Sequence, residues 1–399
     1  MTILAGLTLK LRSLTIFRAL LRDEVFAAFM DLADADGQNA PAHSVSCYAA
    51  FAAKLYRHTS DFGDYVLQAA LNDENLYMLR RAQGWPVDEY IEKSLLNELA
   101  ILEQLSKVPS AEIKSKIAYD GPLADWSNTP HDFAGAYRAY IDAIPTNGYG
   151  VFSRHHIFTI AGHKLVPVLH PDETTLAQLS GYEYERRCVL DNTLALLDGK
   201  PAANVLLYGD SGTGKSSTVK AVANELAPRG LRLIEIKKNQ LREIPALMDS
   251  LGKNPLKFIL FIDDLSFTKD DDDFGALKAI LEGSVSARTK NLAVYATSNR
   301  RHLVRESFSD REGDEVHAND TVQQLTSLSD RFGLTITFWR PNREQYLAII
   351  EHLAGFYGVD ADLSELFRQA EIYALERGGR SPRVAKQFLE QIQSIGLGT

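Results

Sequence analysis

Residues 204–218 read NVLLYGDSGTGKSST, a short apolar run that breaks into a glycine-rich loop ending in Lys215 and Ser216. The spacing is G-x-x-x-x-G-K-[ST], with Gly209, Gly214, Lys215 and Ser216 at the defining positions. Few short patterns restrict a fold as strongly, because this one works only between a buried strand and the start of a helix. The glycines turn the chain tightly, so that successive N–H groups from Gly209 through Asp210, Ser211, Gly212, Thr213 and Gly214 to Ser217 point at phosphate oxygens. The helix expected from about Lys215 to Ala227 presents its positive end to the same anion. In this geometry Lys215 bridges the β- and γ-phosphates and the Ser216 hydroxyl holds Mg²⁺. The expected ligand is ATP or GTP, a choice the loop alone leaves open.

About fifty residues on, FILFIDDL (Phe258 to Leu265) is a continuous apolar run of the kind buried on both faces of a parallel sheet. It ends in Asp263 and Asp264. A carboxylate at the C-terminal end of a central strand beside the loop is where the Mg²⁺ partner belongs, and Asp263 takes that part. Asp264 would then face the attacking water.

The chain has 399 residues, room for two or three domains, with the 45% hydrophobic and 24% charged content of an ordinary globular protein. No apolar stretch approaches the roughly 20 residues of a membrane span. The first thirty residues are interrupted by Lys10, Arg12, Arg18 and Arg22, and read as an amphipathic helix rather than a secretory signal. Cys47 and Cys188 are far apart and lack metal spacing, which fits a reducing cytoplasm. Residues 1–150 carry 13 Lys/Arg against 19 Asp/Glu within a formal charge of −9 for the whole chain. No block of basic residues announces a nucleic-acid footprint, so a nucleic-acid partner is not indicated by charge, while a local basic face stays open.

The pattern divides near residue 150. Upstream, helical periodicity over Val45 to Tyr56, Tyr65 to Arg81, Val87 to Leu105 and Phe133 to Ala143 predicts an all-α domain over 1–150. It is the expected seat of an unidentified protein partner. His131, His155 and His156 have no third ligand at useful spacing and read as packing or surface residues. Residues 151–175 alternate around Gly162 as a β-hairpin connector. Strands at 204–208, 232–236, 258–262, 292–297 and 334–338 alternate with helices, giving an α/β nucleotide-binding domain over 176–340 with a parallel sheet. Only helices follow Pro341, a lid over 341–399.

In this order the segments resemble the AAA+ ATPases over about 176–395. The loop and the strand ending at Asp263 look like that superfamily's Walker A and Walker B elements. YATSNRRHL (Tyr295 to Leu303) is similar to its sensor-1 segment, which implies Asn299, or the adjacent Thr297, near the γ-phosphate. SLSDRFGL (Ser327 to Leu334) resembles the box carrying the arginine finger, implying Arg331, and GGRSPRVAKQF (Gly378 to Phe388) resembles the sensor-2 helix start, implying Arg383. LSGYEYERRCVLDNTLALLDGKP occupies the place of the N-terminal linker, which implies Gly181 and Tyr182 against the adenine. Within AAA+, LLYGDSGTGKSS, DDLSF and LKAILEG are similar to bacterial single-module ATPases of an uncharacterised, domain-of-unknown-function family. The resemblance implies an ATPase working as a homo-oligomer with ATP and Mg²⁺ on a protein or nucleoprotein partner.

One departure from the AAA+ pattern matters. Most members have Glu after the Walker B aspartate, where this chain has Asp264. The shorter carboxylate stands about an angstrom further from the water, a displacement that can cost on the order of 100-fold in rate. A second reading therefore stays open: an ATP-gated adaptor with little turnover, whose helical domain recruits a partner. A small-molecule kinase lacks a visible acceptor base. The carboxylate run Asp270 to Asp273 lacks the glycine and distal Glu of a calcium loop and reads as a solvated loop, as does the charged stretch Arg305 to Asp320.

Overall fold

The computed structural model describes residues 3–35, 41–265, 272–282, 290–299, 331–359 and 361–395, and the chain divides into two compact units, Met1–Ser153 and Arg154–Thr399.

The first unit is helical: α1 (Ile3–Arg12), α2 (Glu24–Asp34), α3 (Pro41–Tyr56), α4 (Phe62–Asn72), α5 (Leu76–Ala82), α6 (Glu89–Ser106), α7 (Ser110–Lys114) and α8 (Phe133–Asn147). Their apolar faces meet in one core, where the rings of Phe29, Phe51, Phe62 and Trp126 pack edge to face or stacked within 5.0 to 6.4 Å of their neighbours. Two expectations from periodicity are corrected here. The N-terminal amphipathic segment is not one helix. It breaks because the Asp23 side chain accepts the Val25 and Phe26 N–H groups as an N-cap, while the buried Glu98 accepts the N–H groups of Thr15, Ile16 and Phe17. Residues 65–81 are two helices because Asn75 caps α5 through the Met78 N–H and donates to the Tyr137 hydroxyl at 3.0 Å.

The second unit is built on a seven-stranded sheet in the order β2-β1-β4-β5-β6-β3-β7. Its strands are β1 (Ile157–Ala161), β2 (Lys164–Pro167), β3 (Val205–Gly209), β4 (Leu231–Ile236), β5 (Lys257–Ile262), β6 (Leu292–Ser298) and β7 (Leu334–Phe338). Every neighbouring pair is parallel except β1 with β2. The hairpin around Gly162 forms, and its β1 also pairs with β4, Ile157 opposite Leu233, so it continues the sheet to its edge. From Phe258 to Ile262 every residue of β5 is buried, as the unbroken apolar run requires of a strand covered on both faces.

Helices α9 (Glu183–Leu197) and α10 (Lys215–Leu226) share a core with the sheet through Val189, Leu196, Val219, Val222 and Leu226. α11 (Ile244–Leu251) and α12 (Asp272–Glu282) follow β4 and β5. The last three helices, α13 (Arg343–Tyr357), α14 (Leu363–Glu376) and α15 (Pro382–Ile395), have an apolar cluster of their own around Tyr346, Ile350, Leu366, Ala370, Ala385 and Leu389. Away from this cluster Phe356, Leu363, Ile372 and Leu375 stand exposed among polar side chains. The second unit is therefore a mostly parallel P-loop sheet with flanking helices and a C-terminal helical lid, and the unit that precedes it in sequence is all-helical. Among the described residues no helix is long and apolar enough to cross a membrane.

Candidate nucleotide-binding site

Strand order decides which side chains meet. The glycine loop leaves β3 and the two aspartates follow β5, but these strands are not neighbours; β6 lies between them. The end of β6 therefore delivers Thr297 and Asn299 between the loop and the carboxylates. Ligands of open parallel sheets gather outside the carboxyl ends of the strands where the order reverses, and this is such a place.

The loop is held open by its glycines and by its neighbours. Gly209 has φ +137°, and a Cβ there would stand 2.1 Å from the Phe338 carbonyl oxygen, so only glycine lets β3 end beside β7. Gly214 begins α10 and leaves the helix N-terminus facing the loop. Lys215 is buried, and its ammonium donates to the carbonyls of Gly209 (2.8 Å) and Asp210 (2.7 Å) and to Asn299 Oδ1 (3.0 Å), matching all three donors. Burial lowers its pKa below the usual lysine value, and nearby Asp210, Asp264 and Asp263 oppose that shift.

Asp263 Oδ1 accepts from Ser216 Oγ at 2.6 Å and from Thr297 Oγ1 at 2.6 Å. Two hard oxygen donors, one anionic, at the mouth of a phosphate loop are the chemistry that Mg²⁺ takes together with phosphate oxygens, so the residues present fit that ion. Asp264 has left-handed backbone, φ +51°. Its N–H donates to Thr297 Oγ1 at 2.9 Å, and its Oδ1 accepts from Asn299 Nδ2 at 2.8 Å.

These groups open onto a cleft of about 790 Å³ whose lining includes the loop from Ser211 to Thr218, Asp263, Asp264, Asn299, Tyr182 and Arg383. The lid reaches the loop directly. The Arg383 N–H donates to the Gly212 carbonyl at 3.1 Å, and a Cβ on Gly212 (φ +78°) would meet Ser381 and Arg383 at 3.1 to 3.2 Å. On the other flank Tyr182 stands in left-handed backbone with its ring 5.2 Å from that of Phe338, and its hydroxyl donates to the Trp339 carbonyl. Burial raises its pKa, with Glu185 and Asp210 adding to the shift. Ile349, Leu353 and Phe356 supply apolar wall from α13.

The loop, both aspartates, Asn299, Tyr182 and Arg383 thus converge on one cleft. Arg331 does not line it. It precedes β7, and the register of β3 on β7, Val205 opposite Leu334 and Gly209 opposite Phe338, puts it toward the sheet end opposite the loop. Sequence reasoning missed Arg186 and Lys386 in the lining, and Arg340, which contacts Asp210. Lys386 lies one turn beyond Arg383 and could have been found from helical spacing; the other two carry no local signal. His131 pairs with Asp64 and His156 with Asn224, and among the described residues no group of three or more His, Cys, Asp and Glu side chains is arranged to hold a metal ion by itself. The stretch 305–320 lies outside the described residues, as do residues 270 and 271 and the side chains of Asp272 and Asp273.

A five-stranded parallel core in the order β7-β3-β6-β5-β4, a phosphate loop after β3, paired carboxylates after β5, a polar residue after β6 and a helical lid make a P-loop nucleotide-binding fold, with its elements in the order expected from the resemblance to the AAA+ proteins. The chain belongs to the family described as "Protein of unknown function (DUF815)", whose model matches residues 153–395. Among solved structures it is similar to Thermotoga maritima RuvB, described as a Holliday junction branch migration motor, at 17% identity and a TM-score of 0.38 over 56% of this chain and 65% of that one. A point mutant of the same protein matches at 16% identity with a TM-score of 0.37, over 55% and 65%. The match thus spans just under two thirds of those chains.

Proposed function

We propose that the chain binds ATP with Mg²⁺ in the cleft over the glycine loop, hydrolyses it, and uses the cycle to remodel or regulate a protein or nucleoprotein partner engaged by the N-terminal helical unit. The observation that carries the reading is the convergence of Lys215, the Ser216–Asp263 pair at 2.6 Å and the Asn299–Asp264 pair at 2.8 Å at the ends of three adjacent strands. In this reading the triphosphate takes Lys215 from the Gly209 and Asp210 carbonyls, and the N–H groups of the loop and of the start of α10 receive the phosphate oxygens. Ser216 and Asp263 would hold Mg²⁺, which would supply charge neutralisation to the bound phosphates. Asp264 accepts a proton from the attacking water, with Asn299 fixing one of its oxygens. Tyr182, Gly181 and the α13 wall hold the base, and Arg383 brings a cation from the lid.

A second reading, an ATP-gated binding module with little turnover, draws on the shortness of Asp264. Specific ATPase activity that rises with protein concentration supports a hydrolysing assembly; a low, flat value supports the adaptor. The site itself is tested by calorimetry on Lys215→Ala. ATP affinity falls by at least about tenfold, the effect of losing one well-placed charge-assisted contact. Parent affinity in that variant sinks the assignment.

A further inference from the structure

The loop between α14 and α15 sets where Arg383 stands, and it is gripped from two sides. Within the lid, the Arg380 guanidinium donates twice to Glu371 (2.9 and 2.6 Å), and Arg343 Nε lies 3.7 Å from the same carboxylate. From outside the lid comes Arg340, two residues beyond β7. Its N–H donates to Asp210 Oδ2 at 3.1 Å, its Nε lies 3.6 Å from Asp210 Oδ1, and its Nη1 donates to the Gly378 carbonyl at 3.1 Å. One side chain therefore bridges the phosphate loop and the lid. The backbone accommodates it: Gly379 has φ +126°, and a Cβ there would stand 2.8 Å from Arg340 Nη1. Gly378 and Gly379 are thus permissive where the guanidinium lands and where the chain turns into the Arg383 helix.

We propose that Arg340 is a positioning residue that latches the lid to the phosphate loop, so that the Asp210–Arg340–Gly378 bridge fixes the reach of Arg383 toward the nucleotide. The inference rests on the proposed ATP site. Both partners of the ion pair are about half exposed, so attraction in water contributes little by itself. The geometry carries the effect. A guanidinium is a rigid fork whose donors can serve the carboxylate and the carbonyl together, whereas an ammonium is a single point on a flexible stem. The latch also sets a second cation, besides the Lys215 ammonium, against the Asp210 carboxylate that an incoming triphosphate would approach.

The test uses the full chain, with ATP affinity measured by calorimetry and KM and kcat by steady-state hydrolysis, for Arg340→Ala, Arg340→Lys, Arg383→Ala, the Arg340→Ala/Arg383→Ala double variant and Lys215→Ala. Arg340→Ala weakens ATP binding about fivefold, the lower end of coupling between linked elements, and acts mainly on KM. Arg340→Lys behaves like Arg340→Ala, because the fork is lost although the charge is kept. The double variant binds no more weakly than Arg383→Ala alone. Parent affinity in either Arg340 variant overturns the latch, as do effects of Arg340→Ala and Arg383→Ala that multiply. If Arg340→Ala unfolds, the lysine variant decides alone. Loss of binding in Lys215→Ala beside parent affinity in Arg340→Lys removes only the latch, whereas parent affinity in Lys215→Ala removes the ATP site beneath it.

Discussion

Asn299 donates its amide to Asp264 Oδ1 across 2.8 Å, and this bond joins the end of β6 to a residue in left-handed backbone after β5. The same turn is held from behind by Thr297, whose Oγ1 accepts the Asp264 N–H and donates to Asp263. Thr297 in β6 and Asn299 just beyond it therefore aim both carboxylates. Asp and Asn are the non-glycine residues that enter the left-handed region most readily, since their short polar side chains bond locally. The aspartate where most AAA+ proteins have glutamate is matched to the backbone it occupies.

Asp264→Glu is accordingly expected to slow hydrolysis, although it restores the usual AAA+ residue. The longer side chain keeps the left-handed turn at a cost of about 1 kcal/mol and loses its fit to Asn299. Asp264→Asn accepts the same turn and isolates the charge: ATP affinity stays near the parent value while kcat falls about 100-fold, the usual scale of a general base. Steady-state kinetics on both variants check this, and a glutamate variant faster than the parent sinks the argument.

What the sequence made legible follows from how local each cause is. The strands β3, β4, β5, β6 and β7 and the all-helical run after Pro341 were readable because each is set by its own apolar pattern and by turn residues beside it. The loop and Asp263 were readable because phosphate chemistry fixes their spacing. The N-terminal break was hidden because Glu98, which takes the N–H groups of residues 15 to 17, lies more than 80 residues downstream. Arg340 was hidden for the same reason, its partner Asp210 being 130 residues away. The left-handed turn at Asp264 depends on Thr297, 33 residues on, so it also has no signature in the IDDL segment.

Asp61 gives the helical unit a pH-sensitive element. Burial alone would raise its carboxyl pKa, but hydrogen bonds from the Asp64 N–H, the Thr129 hydroxyl, Ser127 and the Thr129 N–H win and hold it at about 2. The group is depressed relative to the unfolded chain, so its stabilisation is present above about pH 4 and is lost as pH falls through 2. It amounts to about 2 kcal/mol at neutral pH. Asp61→Asn should lower the Tm at pH 7 and narrow the gap to the parent as pH drops from 4 toward 2. A gap unchanged over that range would show that this carboxylate is not the titrating group.

Arg331 and Arg383 are both arginines of the expected site, and only Arg383 lines the cleft of its own chain. Arg331 stands ahead of β7, at least the length of that strand, about 15 Å, from the end that meets the phosphate loop. In the proposed assembly a cation so placed would act on the γ-phosphate of a neighbouring copy, where a finger supplied in trans is worth about 10³ to 10⁵ in rate. Arg331→Ala should leave ATP affinity nearly intact and remove the dependence of specific activity on concentration, whereas Arg383→Ala weakens binding at every concentration. Mixing Arg331→Ala with Asp264→Asn gives the sharpest measurement. A mixed pair sets an intact carboxylate in one chain against an intact finger from the other, and neither variant alone can do so. ATPase activity that recovers on mixing supports the trans finger. Demonstrated co-assembly without recovery counts against it and favours the ATP-gated adaptor.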